Sequence, residues 1–344
     1  ANIEPLMLQI EISSQQGPVL ASGLGLSQFD LTIPGDAFRQ QLNWQKDAPL
    51  YQLQGKLGLT GELSFVDHMT SFSVFSDKGR ADIDEYNGLA TTDQGILTYN
   101  GQLPTMTFTS DGSETKISGT TFSATLFEPI ADYLDPMRWH KSDAKLAIES
   151  ITTESPIPNI LTLKAFELTA SSDVNSNNRL GEMQTAFRLK ELIAGEIRGV
   201  NMELLTEVKN LDEAAFFGLN NVMADLSASR QPDDFVEDHQ AAIKHHLLTL
   251  FQQGPMLNIT RLKGDFPLGR VNGHLSSQLL NVDAIPDDLS DPAFWQQHVK
   301  ADSQLRISKA LANAVAEFFM MIEFNKNPNF AAMEPDQQQE VVTQ

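Results

Sequence analysis

Along the first two-thirds of the chain, apolar and polar residues alternate with a period of two, the spacing of strands with one buried and one wet face. Leu6, Leu8, Ile10 and Ile12 are separated by Met7, Gln9 and Glu11. Leu57, Leu59, Leu63 and Phe65 surround Thr60, Glu62 and Ser64, and Met106, Phe108, Leu146, Ile148, Leu161, Leu163, Met202 and Leu204 continue the habit. Such alternation predicts antiparallel pairing, because the strands of a buried parallel sheet read as unbroken apolar runs. Clusters of Gly, Asp, Asn and Ser at 76–79, 110–113 and 171–178 read as hairpin tips. Hairpin follows hairpin without a fixed repeat, which predicts a meander and not a solenoid.

Helical spacing recurs in four places. Asp212 is placed to cap a helix over 212–226 whose stripe holds Ala215, Phe216, Leu219, Val222, Met223 and Leu226. A second helix is predicted over 233–253, with Phe235, Ile243, Leu247, Leu250 and Phe251 inward. Gly254 supplies the left-handed C-cap and Pro255 forbids continuation. The helix therefore hands over to a strand over 256–262, a turn at Lys263-Gly264-Asp265 and a strand through 275–280. Asp291 and Pro292 offer a cap and first-turn pair for a short helix bearing Trp295. Ser308 precedes KALANAVAEFFMMIEF, a helix made apolar almost all round by Phe318, Phe319, Met320, Met321 and Ile322, for which core packing is the first expectation.

These elements predict a β-rich α+β protein: a long, twisted or curled antiparallel sheet with a few helices packed against it. Two regions are expected, a β-meander over 1–210 and a helix-plus-hairpin region over 211–344, with room for both to share one core.

Charge narrows the partners. With 24 Lys+Arg against 45 Asp+Glu the net charge is -21, which opposes docking on phosphate backbones, so no nucleic-acid partner is expected. The absence of cysteine removes disulfides, thiol nucleophiles and Cys-ligated metal sites, and is compatible with an oxidising compartment. No apolar run approaches the roughly 18 residues that span a bilayer. The chain opens at Ala1 on a strand-like segment without an initiator Met, as expected of a piece of a longer precursor.

Candidate chemistry is sparse. Asp173-Val174-Asn175-Ser176-Asn177 has the D-x-N-x-N start of a calcium loop, but Asn178 replaces the Gly and Gln184 stands where a bidentate Glu belongs, so a hairpin tip explains it. His239, His245 and His246 share one helix without an i, i+4 pair, and the first and last lie about 10 Å apart along its axis. A packing role is expected for His239 and a solvated one for the others. Asp82, Asp84 and Glu85 read as charged edge residues that discourage strand addition. Asp233, Asp234, Glu237 and Asp238 suit the first turns of a helix. Nucleophile elbow, P-loop, dinucleotide fingerprint and zinc-protease helix are all missing. No catalytic, cofactor-binding or metal-binding residue is assigned, and no cofactor is expected.

The stretch LLTLFQQGPMLNITRLKGDFPLGRVNGHLSSQLLN resembles the diagnostic segment of the YdgA-like family of bacterial envelope proteins, a domain of unknown function. SSQQGPVLASGLG, VNMELLTEVKNLDEAAFFGLN and ADSQLRISKALANAV resemble three further stretches of that family in the expected order, with Gln16 where His is common. The resemblance implies a protein on the periplasmic side of the inner membrane of a Gram-negative bacterium, held there by an N-terminal anchor missing from this chain. It also implies a final hairpin that this chain lacks, as if both ends had been trimmed. No catalytic residue comes with the family. The expected function is therefore non-catalytic: a scaffold or a binder of lipid, another apolar ligand or an envelope partner, with homodimerisation through strand edges as a further expectation. The alternative is a carboxylate-based hydrolase of envelope glycans, which requires a cleft with two carboxylates ~5–10 Å apart and one raised pKa.

Overall fold

The computed structural model describes residues 9–39, 41–76, 78–110, 112–129, 132–135, 137–154, 161–175, 177–194, 197–228 and 232–325. The chain begins with β1 (Glu11–Gln16), β2 (Val19–Leu20), β3 (Gly23–Leu24), β4 (Ser27–Ile33), β5 (Leu42–Trp44), β6 (Tyr51–Leu57), β7 (Leu63–Met69), β8 (Phe72–Ser76), β9 (Gly79–Ile83) and β10 (Tyr86–Asp93). Longer strands follow: β11 (Ile96–Ser110), β12 (Ser113–Leu126), β13 (Ser142–Glu154), β14 (Leu161–Val174), β15 (Leu180–Ala194) and β16 (Ile197–Asp212). Then come α1 (Glu213–Ala228), α2 (Pro232–Gln252), β17 (Met256–Phe266), β18 (Gly269–Leu279), α3 (Pro292–His298), β19 (Val299–Ile307) and α4 (Lys309–Asn325).

Seventeen strands form one unclosed sheet, antiparallel throughout. From β11 to β19 each strand pairs with the next, as a meander requires. The sheet forks at β11: its first half pairs with β10, which leads through β7, β6 and β4 to β1, and its second half pairs with β9, which leads through β8 to β5. The sheet crosses residue 210 without a break, because β16 pairs with β17.

Local signals were mostly followed. The Asp212 side chain accepts the Ala215 N–H at 2.9 Å, capping α1, and Asp291 caps α3 through Ala293 with Pro292 in the first turn. Gly254 adopts φ 65; its N–H donates to Phe251 O at the end of α2, and β17 starts two residues on. Three expectations need correction. Lys263-Gly264-Asp265 is not a turn: β17 runs through it, held by pairing of Lys263 with Glu203 and of Asp265 with Val200, and the reversal falls at Pro267-Leu268. Leu59 is no strand residue but an exposed one in the turn between β6 and β7. Residues 171–174 belong to β14 and are not part of that tip. Leu6 and Leu8 lie outside the described residues.

A single layer of sheet buries little. Accessible surface is 22090 Å², against about 14,000 Å² for a compact chain of this mass. The buried apolar residues are spread along the chain, among them Ala90 in β10, Leu97 in β11, Ala186 and Leu189 in β15, Leu211 in β16, Ala215 in α1 and Phe294 in α3. Trp139 lies across Gly181 and meets Phe216 and Phe217 edge-on, at centroid distances of 4.9 and 5.9 Å.

One feature organises both faces. In β11 to β16 the alternation of faces steps by three residues instead of two at a single rung: Leu103 to Met106, Thr120 to Ile117, Ile148 to Ile151, Phe166 to Leu163, Leu189 to Leu192 and Met202 to Gly199. The skipped rung, between paired rows, runs through Pro104, Gly119, Glu149, Ala165, Lys190 and Asn201. On every second strand the residue there is left-handed: Gly119 at φ 64, Ala165 at φ 48 and Asn201 at φ 52. As at a β-bulge, such a residue lets the alternation restart one position later. Since all six strands step by three at one rung, no register is lost between neighbours. The space a Cβ would take at Gly199 lies 3.0 Å from Met202 Sδ, placing residues three apart on one face.

Candidate functional site: the two faces of the sheet

On one face the pairing aligns Phe122, Leu146, Leu168, Phe187, Leu204 and Leu262 across β12 to β17. Ring contacts extend this row: Phe166 meets Phe187 at 5.1 Å, and Phe65, Tyr99 and Phe122 follow one another at 6.1 and 5.8 Å. Among the described residues the helices pack most closely against β16 and β18 and leave most of this face open. Phe108, Phe122, Leu161, Met183 and Phe187 stay 36–42% exposed.

Where the apolar face reaches β7 and β10 it holds one buried carboxylate. Asp67, 8% exposed, accepts from Tyr99 Oη at 3.1 Å and Tyr51 Oη at 3.3 Å, and the Tyr86 hydroxyl meets that of Tyr99. Gly88 leaves the space that Asp67 and Tyr99 occupy. Burial raises the Asp67 pKa against the Tyr51 hydrogen bond, and burial together with the Asp67 charge pushes Tyr51 up to about 12. Alternation alone gave no sign of this cluster, since Asp67 falls on the apolar side of its strand and Tyr51, Tyr86 and Tyr99 belong to three other strands.

The opposite face is polar. An open hollow of about 420 Å³ crosses β12 to β17, lined by Ser123, Thr125, Lys145, Thr169, Ser171 and Gln184 among others, with Ala186 at its floor. A second, of about 380 Å³, crosses β10 to β13 and shares Ser123 and Lys145 with the first. These hollows sit on the polar side because Ser, Thr and Ala leave room between strands that Phe and Leu fill on the other. Beside them runs a chain of ion pairs: Lys145–Glu167 at 2.5 Å, Arg188–Glu167 at 2.9 Å, Arg188–Glu203 at 3.0 Å and Arg261–Glu203 at 3.1 Å. Lys145 and Arg188 hold Glu167 below the usual carboxylate range, and Lys209 and Asn258 do so for Glu207. At Glu203 burial pushes upward, but Arg261 and Arg188 outweigh it.

The sequence candidates are scattered. Asp173 is a strand residue paired with Lys141 at 2.9 Å, while Ser176 lies outside the described residues. His246 is not simply solvated, since its ring covers Gly218 of α1. Asp82 is no edge residue: β9 is paired on both sides, and Asp82 accepts from Ser73 and Arg80. The side chains of Asp233, Asp234, Glu237 and Asp238, and of Phe318, Phe319, Met321 and Ile322, lie outside the described residues. Met320 is 39% exposed and so is not core. Among the described residues, no three His, Asp or Glu side chains are grouped to hold a metal ion, and no helix is long and apolar enough to cross a membrane.

The family model described as bacterial protein of unknown function (DUF945) matches residues 1–344, and the chain belongs to that family. No curated protein and no solved structure matches it.

Proposed function

We propose that this family member is a non-catalytic binding protein of the cell envelope, whose apolar sheet face holds the acyl chains of lipid. The observation that carries this reading is the open row Phe122–Leu146–Leu168–Phe187–Leu204–Leu262. Continued through Tyr99 and Phe65, the apolar face crosses eight strand spacings, about 38 Å, and runs about 17 Å along the strands, on the order of 600 Å² in projection. That is at the upper limit of the largest patch on an ordinary monomer, and such patches mark interaction sites. A neutral occupant is favoured over a second copy, because two chains at -21 each repel on approach. The ion-paired carboxylates beside the polar hollows sit low, opposite to what a general acid needs, which favours binding over hydrolysis. The finer resemblance to YdgA-like envelope proteins and the absence of cysteine support a periplasmic location.

The test is organic extraction and mass spectrometry of gently purified protein, with titration of a fluorescent fatty acid. Co-purifying acyl lipid, and probe binding lost in Leu168→Glu and Phe187→Glu, are expected. Lipid-free protein that ignores the probe, or that sediments as a dimer dispersed by those same substitutions, would replace this reading with self-association.

A further inference from the structure

We infer that the polar face carries a second binding site, independent of the apolar one, for a linear, neutral, polyhydroxylated ligand: an oligosaccharide segment laid across β10 to β17. Length comes first. The two hollows of about 420 and 380 Å³ join at Ser123 and Lys145 and together cross seven strand spacings, about 34 Å. Such a groove suits an extended chain better than a compact metabolite.

Chemistry selects the class. The hydroxyls of Ser123, Thr125, Thr169 and Ser171 line the first hollow and, among the described residues, make no side-chain hydrogen bond. Each is both donor and acceptor, as a sugar hydroxyl is, so such pairs can satisfy one another in either direction. The Gln184 amide lies beside them, already donating to Glu207 at 3.3 Å, and Asp143 adds an acceptor. The charged side chains lining the hollow are Asp143, Lys145, Arg188 and Glu207, two of each sign, and the cations are engaged by Glu167 and Glu203. A polyanion therefore gains nothing here. An extended peptide is also disfavoured, because a sheet face presents side chains and leaves no backbone groups for strand addition.

Ala186 decides access. It is 8% exposed and forms the floor between Arg188 and Gln184, so a large side chain there fills the hollow without touching the apolar face.

The intact chain is titrated by calorimetry with chitohexaose and with maltoheptaose. Binding of at least one is expected. Ala186→Phe should abolish it, and the near-isosteric pair Thr169→Val with Ser171→Ala should weaken it about tenfold or more, the scale of two lost hydrogen bonds. The second variant keeps the test open if the first does not fold. Phe187→Glu, on the opposite face, should leave oligosaccharide binding unchanged, which separates this site from the acyl-chain site. No binding of either sugar at millimolar concentration, binding untouched by the Thr169 and Ser171 substitutions, or binding lost in Phe187→Glu would each overturn the inference.

Discussion

The rung at which six strands change phase predicts that two reciprocal substitutions act with opposite and unusual signs. Ala165 sits exposed in β14 at φ 48, where an L-residue with a Cβ carries about 1–2 kcal/mol of strain. Replacing it by glycine removes that strain, against about 0.5–1 kcal/mol of added freedom in the unfolded chain. Ala165→Gly should therefore be neutral to stabilising by about 1 kcal/mol, whereas Ala→Gly in an ordinary strand is destabilising. Gly119 occupies the equivalent place two strands away at φ 64, and an added Cβ would lie 2.6 Å from Cβ of Glu149. Gly119→Ala should cost about 1–2 kcal/mol. At about 2.1 cal/mol/K per residue, 344 residues give about 0.7 kcal/mol/K, so 1 kcal/mol moves Tm by only about 1.4 °C. The better assay is the urea midpoint at unchanged slope. If Ala165→Gly destabilises by about 1 kcal/mol while Gly119→Ala is neutral, the rung is ordinary extended strand and the account of the phase change is wrong.

Three further expectations are simpler to state. Burial raises the folded pKa of Asp67, so its stabilising contribution is present below the unfolded carboxylate pKa and is lost as pH rises through the folded one; the stability of Asp67→Asn relative to the parent should grow with pH across that window, and a gap that shrinks instead would contradict the burial argument. Trp139→Ala, at a residue 5% exposed and packed on Gly181, Phe216 and Phe217, should cost about 3–5 kcal/mol and loosen α1, read as lost helical ellipticity before global unfolding. Calcium should leave Tm unchanged, because Asp173 is engaged by Lys141; a millimolar-calcium rise in Tm that disappears in Asp173→Asn would restore the calcium-loop reading.

Much of the fold was legible because its causes are local. Period-two alternation, the Asp212 and Asp291 caps and the Gly254-Pro255 break act over a few residues, so the sequence alone specified an antiparallel, β-rich chain with helices at the observed places. Local signals misled where a long-range contact outbid them. Lys263-Gly264-Asp265 has turn composition, yet the strand continues there because Lys263 and Asp265 pair with Glu203 and Val200 of β16. The candidate sites depended wholly on tertiary structure. A three-residue step in one strand looks like noise; aligned with the same step in five neighbours it becomes a rung that keeps Leu163 and Leu192 with Phe166 and Leu189. Likewise Ser123, Thr169 and Ala186 lie in different strands and share no motif; only the register Ser123–Lys145–Thr169–Ala186 brings them side by side. Sequence sets which way a side chain faces within its strand, but a surface is made by pairing residues tens of positions apart, and that pairing is decided by the sheet as a whole.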